Sequence, residues 1–321
     1  MNEADTSPAK PLVTIAFIPR ERFSRAADAL RQMIENTTDV PYKLLIVDCR
    51  TPAPYLRDIE GVLKGREDVE WVHADRYLMP SESRRLIAPL VTTEYTCLLE
   101  NDCFVAPGWL SHLMAAVNTF DAGVAAPLLY EGNRYHADNL LGTFLRREVK
   151  GGTRLEIVAL GGDHETQQAQ VVQSIESHVL LFRTEVLQHP GLFDEKLTTH
   201  DFLDICLTLD KLGIKVVFEP KAEVTLVYPP PVEKDEQDFF RLRWTLEVDS
   251  QSSDLIRKKW GYKEIISATA FARERLHRDS WLNLGIYTLK VRVFRRLRTW
   301  FRRYVLRWGQ RQLMDYDRTQ G

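Results

Sequence analysis

The sequence predicts an α/β fold in which helices flank a mixed, mostly parallel sheet. Residues 13–17 and 42–47 are apolar runs with the length of buried strands, and residues 24–36 between them place their apolar side chains on one helical face. A strand, a helix and a second strand in this order are typical of a parallel βαβ unit. A third apolar run, residues 96–99, ends directly in acidic residues. We therefore expect these strands to share one sheet.

The later elements follow from turn residues and apolar spacing. The dipeptide Pro107-Gly108 closes a short loop before the next helical segment. Residues 146–173 contain paired glycines and predict a hairpin or a loop insertion. Helical spacing from residue 201 precedes a strand-like run that ends at Tyr228, and the pattern beyond residue 238 is helical again.

Acidic residues follow two of the predicted strands. Glu100 and Asp102 come after the third run, and Asp48 ends the second. Because ligands bind at the carboxyl ends of strands in open α/β sheets, we expect these side chains to face one crevice. Carboxylate oxygens are the ligands that Mg²⁺ and Mn²⁺ prefer. The alternatives are a solvated acidic turn for the pair and a loop cap for Asp48.

Length and composition are those of a globular protein. The chain has 321 residues, of which 44% are hydrophobic and 27% charged, with a net charge of −2. This composition excludes a disordered or an integral-membrane protein. The chain shows neither a signal peptide nor an apolar stretch of about 18 residues, and we expect a cytoplasmic protein. Four scattered cysteines have no metal-site spacing and are expected to be reduced: Cys49, Cys97, Cys103 and Cys206.

The chain divides into four predicted segments. Residues 1–11 form a flexible leader, residues 12–245 the α/β domain, residues 246–280 a helical extension, and residues 281–321 a basic amphipathic helix with its tail. Residues 282–311 contain Lys and Arg but no Asp or Glu. An aromatic and aliphatic stripe lies opposite the arginines on a helical wheel.

This C-terminal pattern is typical of a helix at a membrane surface. We expect residues 281–311 to bind an anionic membrane, so that the protein is peripheral at the inner face of the cell membrane. Packing of the stripe on a protein surface is the alternative. No nucleic acid is expected as a partner, since the apolar stripe would then have no role.

The order and spacing of several blocks resemble family 2 glycosyltransferases. The blocks are the run from Val13, residues 44–48, 83–85, 99–102 and 107–109, and the stretch from Phe193 to Pro220. The resemblance covers residues 11–245. It implies the GT-A fold, with a Rossmann-like half joined to an acceptor-binding half. It also implies transfer of a sugar from a nucleotide-sugar donor to a glycan or lipid-linked acceptor, with inversion and with Mg²⁺ or Mn²⁺, in cell-surface polysaccharide synthesis.

The resemblance assigns roles on the donor side. Asp102 matches the final acid of the family's DxD metal motif, and Glu100 stands in place of the first Asp. Asp48 matches the acid that reads the nucleotide. Arg84 lies where the family often has an arginine directed at the nucleotide, and its forked guanidinium suits a diphosphate. An exposed basic residue at a helix start is the alternative for Arg84.

On the acceptor side the family pattern is altered. Asp201 is the candidate general base, and His200 stands beside it. Asp204 aligns with a family acid in the following helix, whereas Phe202 occupies a position where many members have an Asp. Asp201 as a helix N-cap is the alternative.

Further acceptor-side candidates are polar residues among apolar neighbours. They are His136, Glu176, His178 and His200. Alternation on a half-buried strand is the other interpretation of Glu176 and His178. Many family members also carry a metal-binding histidine after the strand at 215–219, and this chain has none there, which leaves Asp102 and the diphosphate to hold the metal.

Two rival functions remain at the sequence level. A catalytically silent module that binds nucleotide or a partner protein would explain the altered acids at Glu100 and Asp201. A nucleotidyltransferase usually needs a Gly-rich basic loop after the first strand, and residues 19–23 are not such a loop.

Overall fold

The computed structural model describes residues 11–132, 134–135, 141–160, 167–226, 233–244 and 246–265. The candidate His136 and the predicted membrane helix at 281–311 lie outside the described residues. Within the described ranges, no helix is both long enough and apolar enough to cross a membrane.

Strands and helices alternate in the first part of the chain. These elements are β1 (Val13–Ile18), α1 (Phe23–Asn36), β2 (Tyr42–Cys49), α2 (Ala53–Leu63), β3 (Val69–Ala74), α3 (Pro80–Ile87), β4 (Tyr95–Glu100), β5 (Cys103–Val105) and α4 (Trp109–Phe120). The elements predicted at 13–17, 24–36, 42–47 and 96–99 correspond to β1, α1, β2 and β4.

The second part of the chain is richer in strands. Its elements are β6 (Val124–Glu131), β7 (Arg134–Tyr135), β8 (Gly142–Val149), β9 (Gly152–Ala159), β10 (Gln170–Val172), β11 (Val179–Arg183), α5 (Thr184–Leu187), α6 (Asp201–Leu212), β12 (Val216–Leu226), α7 (Gln237–Arg243), α8 (Leu246–Trp260) and β13 (Tyr262–Ile265). The predicted hairpin is formed by β8 and β9 and begins at Gly142, four residues before the predicted start.

Within the described residues, ten strands form one large sheet. Its order is β10-β12-β6-β11-β4-β1-β2-β3, with β5 beside β12 and β7 beside β6. Strands β4, β1, β2 and β3 are parallel, as are β6 and β12, whereas β11 is antiparallel to β4 and to β6. The mixed, mostly parallel sheet flanked by helices that the sequence predicts is therefore confirmed.

The reversed direction of β11 positions the candidate site. Val179, the first residue of β11, pairs with Leu99 near the end of β4. The residues before β11 therefore lie at the carboxyl end of β4, where the His178 carbonyl accepts a hydrogen bond of 3.2 Å from the Glu100 N–H. Segments that are 78 residues apart in sequence thus meet at one sheet edge.

The core lies between the sheet and its helices. Residues of β1, β2, β4, α1 and α4 form one buried apolar cluster. Trp109 at the start of α4 is fully buried, and its indole N–H donates to Thr37 Oγ1 at 2.9 Å. This bond satisfies the one polar atom of the Trp109 side chain, so burial of its large ring is favourable.

The chain divides into two compact units. The first holds the large sheet, and the second contains Arg146–Glu156, Lys196–His200 and the described residues between 233 and 265. In the second unit β13 pairs in parallel with residues of β9, and α8 precedes it. The segment boundaries predicted at residues 245 and 280 stay predictions.

Gly142, the first residue of β8, occupies a position that we expect only glycine to tolerate. A β-carbon at Gly142 would lie 2.0 Å from the carbonyl oxygen of Val158. We expect Gly142→Ala to lower the free energy of unfolding by about 1–3 kcal/mol or more, because backbone must move. Urea denaturation measures the change.

Gly61 provides the matched control. It lies in α2, and a β-carbon there would meet none of the described atoms within 4 Å. Gly61→Ala should raise the free energy of unfolding by about 0.5–1 kcal/mol through helix propensity. Equal changes in the free energy of unfolding for the two substitutions would contradict the close approach of Gly142 to the Val158 carbonyl.

Candidate active site

Glu100 lies at the centre of a buried cluster of charges. Its side chain is 1% exposed at the end of β4. Oε1 accepts hydrogen bonds from Arg20 and, at 3.2 Å, from Arg84, and Oε2 contacts Nδ1 of His178. Three basic side chains therefore surround one buried carboxylate, and this pairing compensates the loss of its hydration.

The charges in this cluster shift each other's pKa values. Burial alone would raise the pKa of Glu100, but Arg20, His178 and Arg84 outweigh burial and hold it at about 2. Burial alone would lower the pKa of His178, but Glu100 and Glu176 outweigh burial and raise it. Glu100 is therefore ionised at neutral pH, and the His178 imidazolium is favoured.

Arg84 connects the centre of the cluster to the candidate base. One end of its guanidinium donates to Asp201 at the start of α6. The other donates to Glu100 and to the carbonyl and hydroxyl of Ser177 at 3.0 and 3.2 Å. The Arg84 side chain is fully buried. Its Nε has no hydrogen-bond partner among the described residues.

Helix α3 holds Arg84 in this position. Pro80 occupies the first turn of the helix, and the Glu82 carboxylate accepts the Met79 N–H at 2.8 Å, which caps the helix. The buried face of this short helix includes Ser83 and Arg84. The predicted alternative of an exposed basic residue therefore does not describe Arg84.

The loop after β1 is fastened to the loop after β4. The Arg20 N–H donates to Asn101 Oδ1 at 3.1 Å, and Asn101 Nδ2 donates back to the Arg20 carbonyl at 3.3 Å. The Asn101 N–H also donates to the Ile18 carbonyl at 3.1 Å. Arg22 on the same loop has its Nε 3.8 Å from Asp102 Oδ2. These contacts place Arg20 beside Glu100 and Arg22 beside Asp102.

Three potential metal ligands lie together at this edge. A carboxylate oxygen of Asp102, the sulfur of Cys103 and a ring nitrogen of His178 are all within 4.8 Å of one another, and all three residues are buried. Carboxylate and imidazole suit Mn²⁺ and heavier divalent ions. Burial, with Asp102 and Glu100 nearby, raises the pKa of Cys103 well above its ordinary value. This set of ligand atoms fits a divalent cation.

Asp48 lies at the carboxyl end of β2. Its Oδ1 accepts the Thr51 N–H at 2.9 Å, and its Oδ2 lies 3.1 Å from His73 Nδ1. A small pocket at this sheet edge is lined by Asp48 and Thr51 together with Pro19, Phe23 and other residues. Asp48 therefore caps its loop and also borders a pocket. Both predicted roles, the loop cap and the acid that reads the nucleotide, are compatible with this position.

The start of α6 places the acceptor-side acids. Asp201 and Asp204 lie in its first turn and are both buried. His200, immediately before the helix, has a left-handed backbone with φ of 61°. Within the second unit, His200 Nε2 lies 2.5 Å from Asp249 Oδ1, and both side chains are buried. His200 therefore pairs with an acid of α8.

The structure brings together several residues predicted separately. Arg84, Glu100, His178 and Asp201 form one connected group, and Glu176 Oε1 lies 3.4 Å from His178 Nε2. Glu176 and His178 lie before β11, so the alternative of alternation within a strand is wrong for them. The catalytic and binding roles of all these residues stay predictions.

Sequence reasoning missed three residues of this site, namely Arg20, Arg22 and Cys103. Arg20 and Arg22 follow β1 at the same sheet edge as Glu100, so their position in the βαβ pattern was a usable signal. Cys103 follows Asp102 directly. Its contact with the His178 segment depends on the antiparallel pairing of β11 with β4, which no local sequence pattern indicates.

The chain is similar, at low identity, to proteins that are named glycosyltransferases. No family model matches the chain. Two pre-mycofactocin glycosyltransferases of Mycobacterium tuberculosis, from strains CDC 1551 / Oshkosh and ATCC 25618 / H37Rv, are each 24% identical over 205 residues, which cover 62% of this chain. The chain spans 40% of the length of these curated relatives.

Among the solved structures that resemble this chain, GalNAc-T7 shares its fold. GalNAc-T7, crystallised with UDP, GalNAc and Mn²⁺, superposes with a TM-score of 0.53 at 15% identity, over 82% of this chain and 54% of that protein. TarS of S. aureus, residues 1–349 with UDP, gives a TM-score of 0.46 at 11% identity, over 79% of this chain and 73% of that one. The likeness to GalNAc-T7 shows that the fold of this chain is the GT-A glycosyltransferase fold.

The charges of Glu100 and His178 predict a pH dependence of stability. The Glu100 pKa falls on folding from 4.5 to about 2, so its contribution is present above pH 4.5 and is lost as the pH falls toward 2. The His178 pKa rises from 6.5, so its contribution is present below pH 6.5 and is lost as the pH rises through the folded-state pKa.

Glu100→Gln should therefore lower the free energy of unfolding more at a pH of about 5.5 than at about 8, since only the lower pH retains a fully charged His178. Urea denaturation at both pH values measures this, with the exposed Glu60→Gln on α2 as the control. The same loss at both pH values would show that Glu100 and His178 do not form an ion pair.

Proposed function

We propose that this chain is an inverting glycosyltransferase that moves a sugar from a nucleotide-sugar donor to a glycan or lipid-linked acceptor. The observation that carries the proposal is the buried Arg84 side chain, which connects Glu100, the last residue of β4, to Asp201 at the start of α6. In a GT-A fold this arrangement offers a donor-side acid and an acceptor-side base within one site.

The reaction assigns a separate task to each group. The acceptor oxygen attacks the anomeric carbon from the face opposite the nucleotide, and a new carbon–oxygen bond forms as the bond to the diphosphate breaks. The acceptor hydroxyl proton moves to the Asp201 carboxylate. A divalent cation held at Asp102 would supply positive charge to the leaving diphosphate. Arg20 and Arg22 add positive charge at the same edge.

Arg84 connects donor binding to the base. In the free protein its guanidinium neutralises Asp201, and an arginine-bound carboxylate is a weak base. A diphosphate is a strong, bidentate partner for guanidinium, and the buried Nε of Arg84 has no partner among the described residues. Turning Arg84 toward the diphosphate would release Asp201 and raise its basicity once the donor is bound.

The proposal also covers the donor, the nucleoside site and the biological setting. A uridine diphosphate sugar is the first donor to test, because GalNAc-T7 was crystallised with UDP. Asp48 and the pocket beside it would hold the nucleoside. Cell-surface polysaccharide synthesis is what the family resemblance implies, and a membrane contact through residues 281–311 at the inner face is what their sequence pattern implies.

One observation favours the silent-module alternative. The two acids that would act, Glu100 and Asp201, are both neutralised by buried arginines in the free protein. A module that binds UDP without turnover would need no free base. Nucleotide binding without donor hydrolysis or transfer, under conditions that saturate the protein, would support this alternative over the enzyme.

Donor hydrolysis tests the activity. We expect the purified chain with Mn²⁺ to release nucleotide from one member of a panel of UDP-, GDP-, dTDP- and CMP-sugars. Asp102→Asn should abolish Mn²⁺-dependent binding of the matching nucleotide, since the charge that holds the cation is lost. Calorimetric titration measures binding, and Asp58→Asn on the exposed side of α2 is the control. Unchanged affinity in Asp102→Asn would remove Asp102 from the site.

Substitutions of the two acids of α6 distinguish a general base from a residue that only stabilises the fold. Asp201→Asn should lower turnover by about 10²-fold or more without weakening UDP binding, because a general base acts only on the acceptor. Asp204 is 1% exposed, so Asp204→Asn should instead lower the melting temperature. Steady-state kinetics and thermal melts measure both. Near-normal turnover in Asp201→Asn, with loss in Asp204→Asn, would reassign the base to Asp204.

A further inference from the structure

Arg50 has a backbone conformation that is unfavourable for its residue type. It directly follows β2 and has a φ of 59°, in the left-handed region. A β-carbon disfavours this region, whereas glycine adopts it freely. Asp121, another described residue with positive φ, has a short polar side chain that tolerates this conformation. Residues held in such conformations cluster at ligand sites, so the Arg50 side chain is a candidate for a binding role.

The Arg50 side chain lies beside the pocket that Asp48 borders. Its guanidinium carbon is 5.3 Å from the centre of the Tyr77 ring. The Tyr77 ring is in turn 6.4 Å from the ring of Phe23, which lines the pocket together with Asp48. Arg50 is exposed, and its guanidinium has no hydrogen bond or ion pair with a described residue. The aromatic face therefore supports the guanidinium, while its N–H donors are available to a ligand.

Asp48 supplies a complementary acceptor two residues before Arg50. Its Oδ1 accepts the Thr51 N–H at 2.9 Å, and its Oδ2 lies 3.1 Å from His73 Nδ1. These contacts fix the orientation of the carboxylate. Each carboxylate oxygen has two lone pairs, so Asp48 can accept a further hydrogen bond from a ligand. A hydrogen-bond acceptor and a charged donor thus lie near each other beside one pocket.

We propose that Arg50 selects the nucleobase of the donor by donating to a carbonyl oxygen of the base, while Asp48 accepts the neighbouring ring N–H. Uracil, thymine and guanine present these two groups side by side. Cytosine and adenine instead present a bare ring nitrogen beside an amino group, which would leave polar groups unpaired and lower the affinity. The inference rests on the proposed function, in that the nucleoside occupies the pocket beside Asp48.

Binding of UDP and CDP tests the proposal, because their bases differ only at this edge. GDP and ADP form the corresponding purine pair. Calorimetric titration of the full chain with Mn²⁺ should show that UDP binds at least about tenfold more tightly than CDP, or GDP than ADP. A preference for CDP or ADP would overturn the base selection.

Arg50→Gly separates base selection from a structural role. We expect it to weaken binding of UDP, or of GDP where the purine pair binds better, by about tenfold or more, and to leave CDP or ADP binding nearly unchanged. Arg50→Lys keeps a charged donor and should retain part of the preference. Asp121→Gly, at the end of α4, removes an exposed side chain from the same backbone conformation and should change neither affinity.

The outcomes distinguish this inference from the proposed function. Equal weakening of both members of a pair by Arg50→Gly would indicate contact with the diphosphate and would overturn base selection, as would two unchanged affinities. Arg50-dependent preference for UDP or GDP without donor hydrolysis supports base selection and contradicts the proposed activity. Donor hydrolysis with the same base preference in wild type and Arg50→Gly leaves the activity standing and overturns base selection. Binding of no nucleotide overturns both.

Discussion

A single buried carboxylate determines the arrangement of this site. Glu100 is ionised in the interior, and an unpaired buried charge costs several kcal/mol. Arg20, Arg84 and His178 must therefore stay in place around it. Each of them belongs to a different segment, namely the loop after β1, helix α3 and the residues before β11. The charge of Glu100 holds these segments together at the carboxyl end of β4.

This constraint also explains how the two sides of the site are connected. The Arg84 guanidinium contacts two acids, Glu100 at one end and Asp201 at the other. Because Arg84 is fully buried, its loss would leave both acids with less compensating charge, although Glu100 would keep Arg20 and His178. A ligand with more negative charge than a carboxylate is the natural competitor for this guanidinium. Under the proposed function, the free protein holds its candidate base Asp201 in an ion pair with Arg84, and a bound diphosphate would release it.

The sequence predicts the sheet well because its signals are local. Apolar runs identify β1, β2 and β4, and the acids that end β2 and β4 identify the ligand edge. The contacts of His178 were not predictable, since they arise from the antiparallel pairing of Val179 with Leu99 across the sheet. The burial of Arg84 was not predictable from the sequence either, because it depends on Asp201 and Glu100, which lie 117 and 16 residues away.

The central claim is that Arg84 exchanges Asp201 for the donor diphosphate. UDP affinity, measured by calorimetry with Mn²⁺ in wild type, Arg84→Met, Asp201→Asn and the double variant, tests it most directly. The account predicts that Asp201→Asn tightens UDP binding only when Arg84 is present, with a coupling of about 0.5–3 kcal/mol. The same effect of Asp201→Asn with and without Arg84 would contradict it.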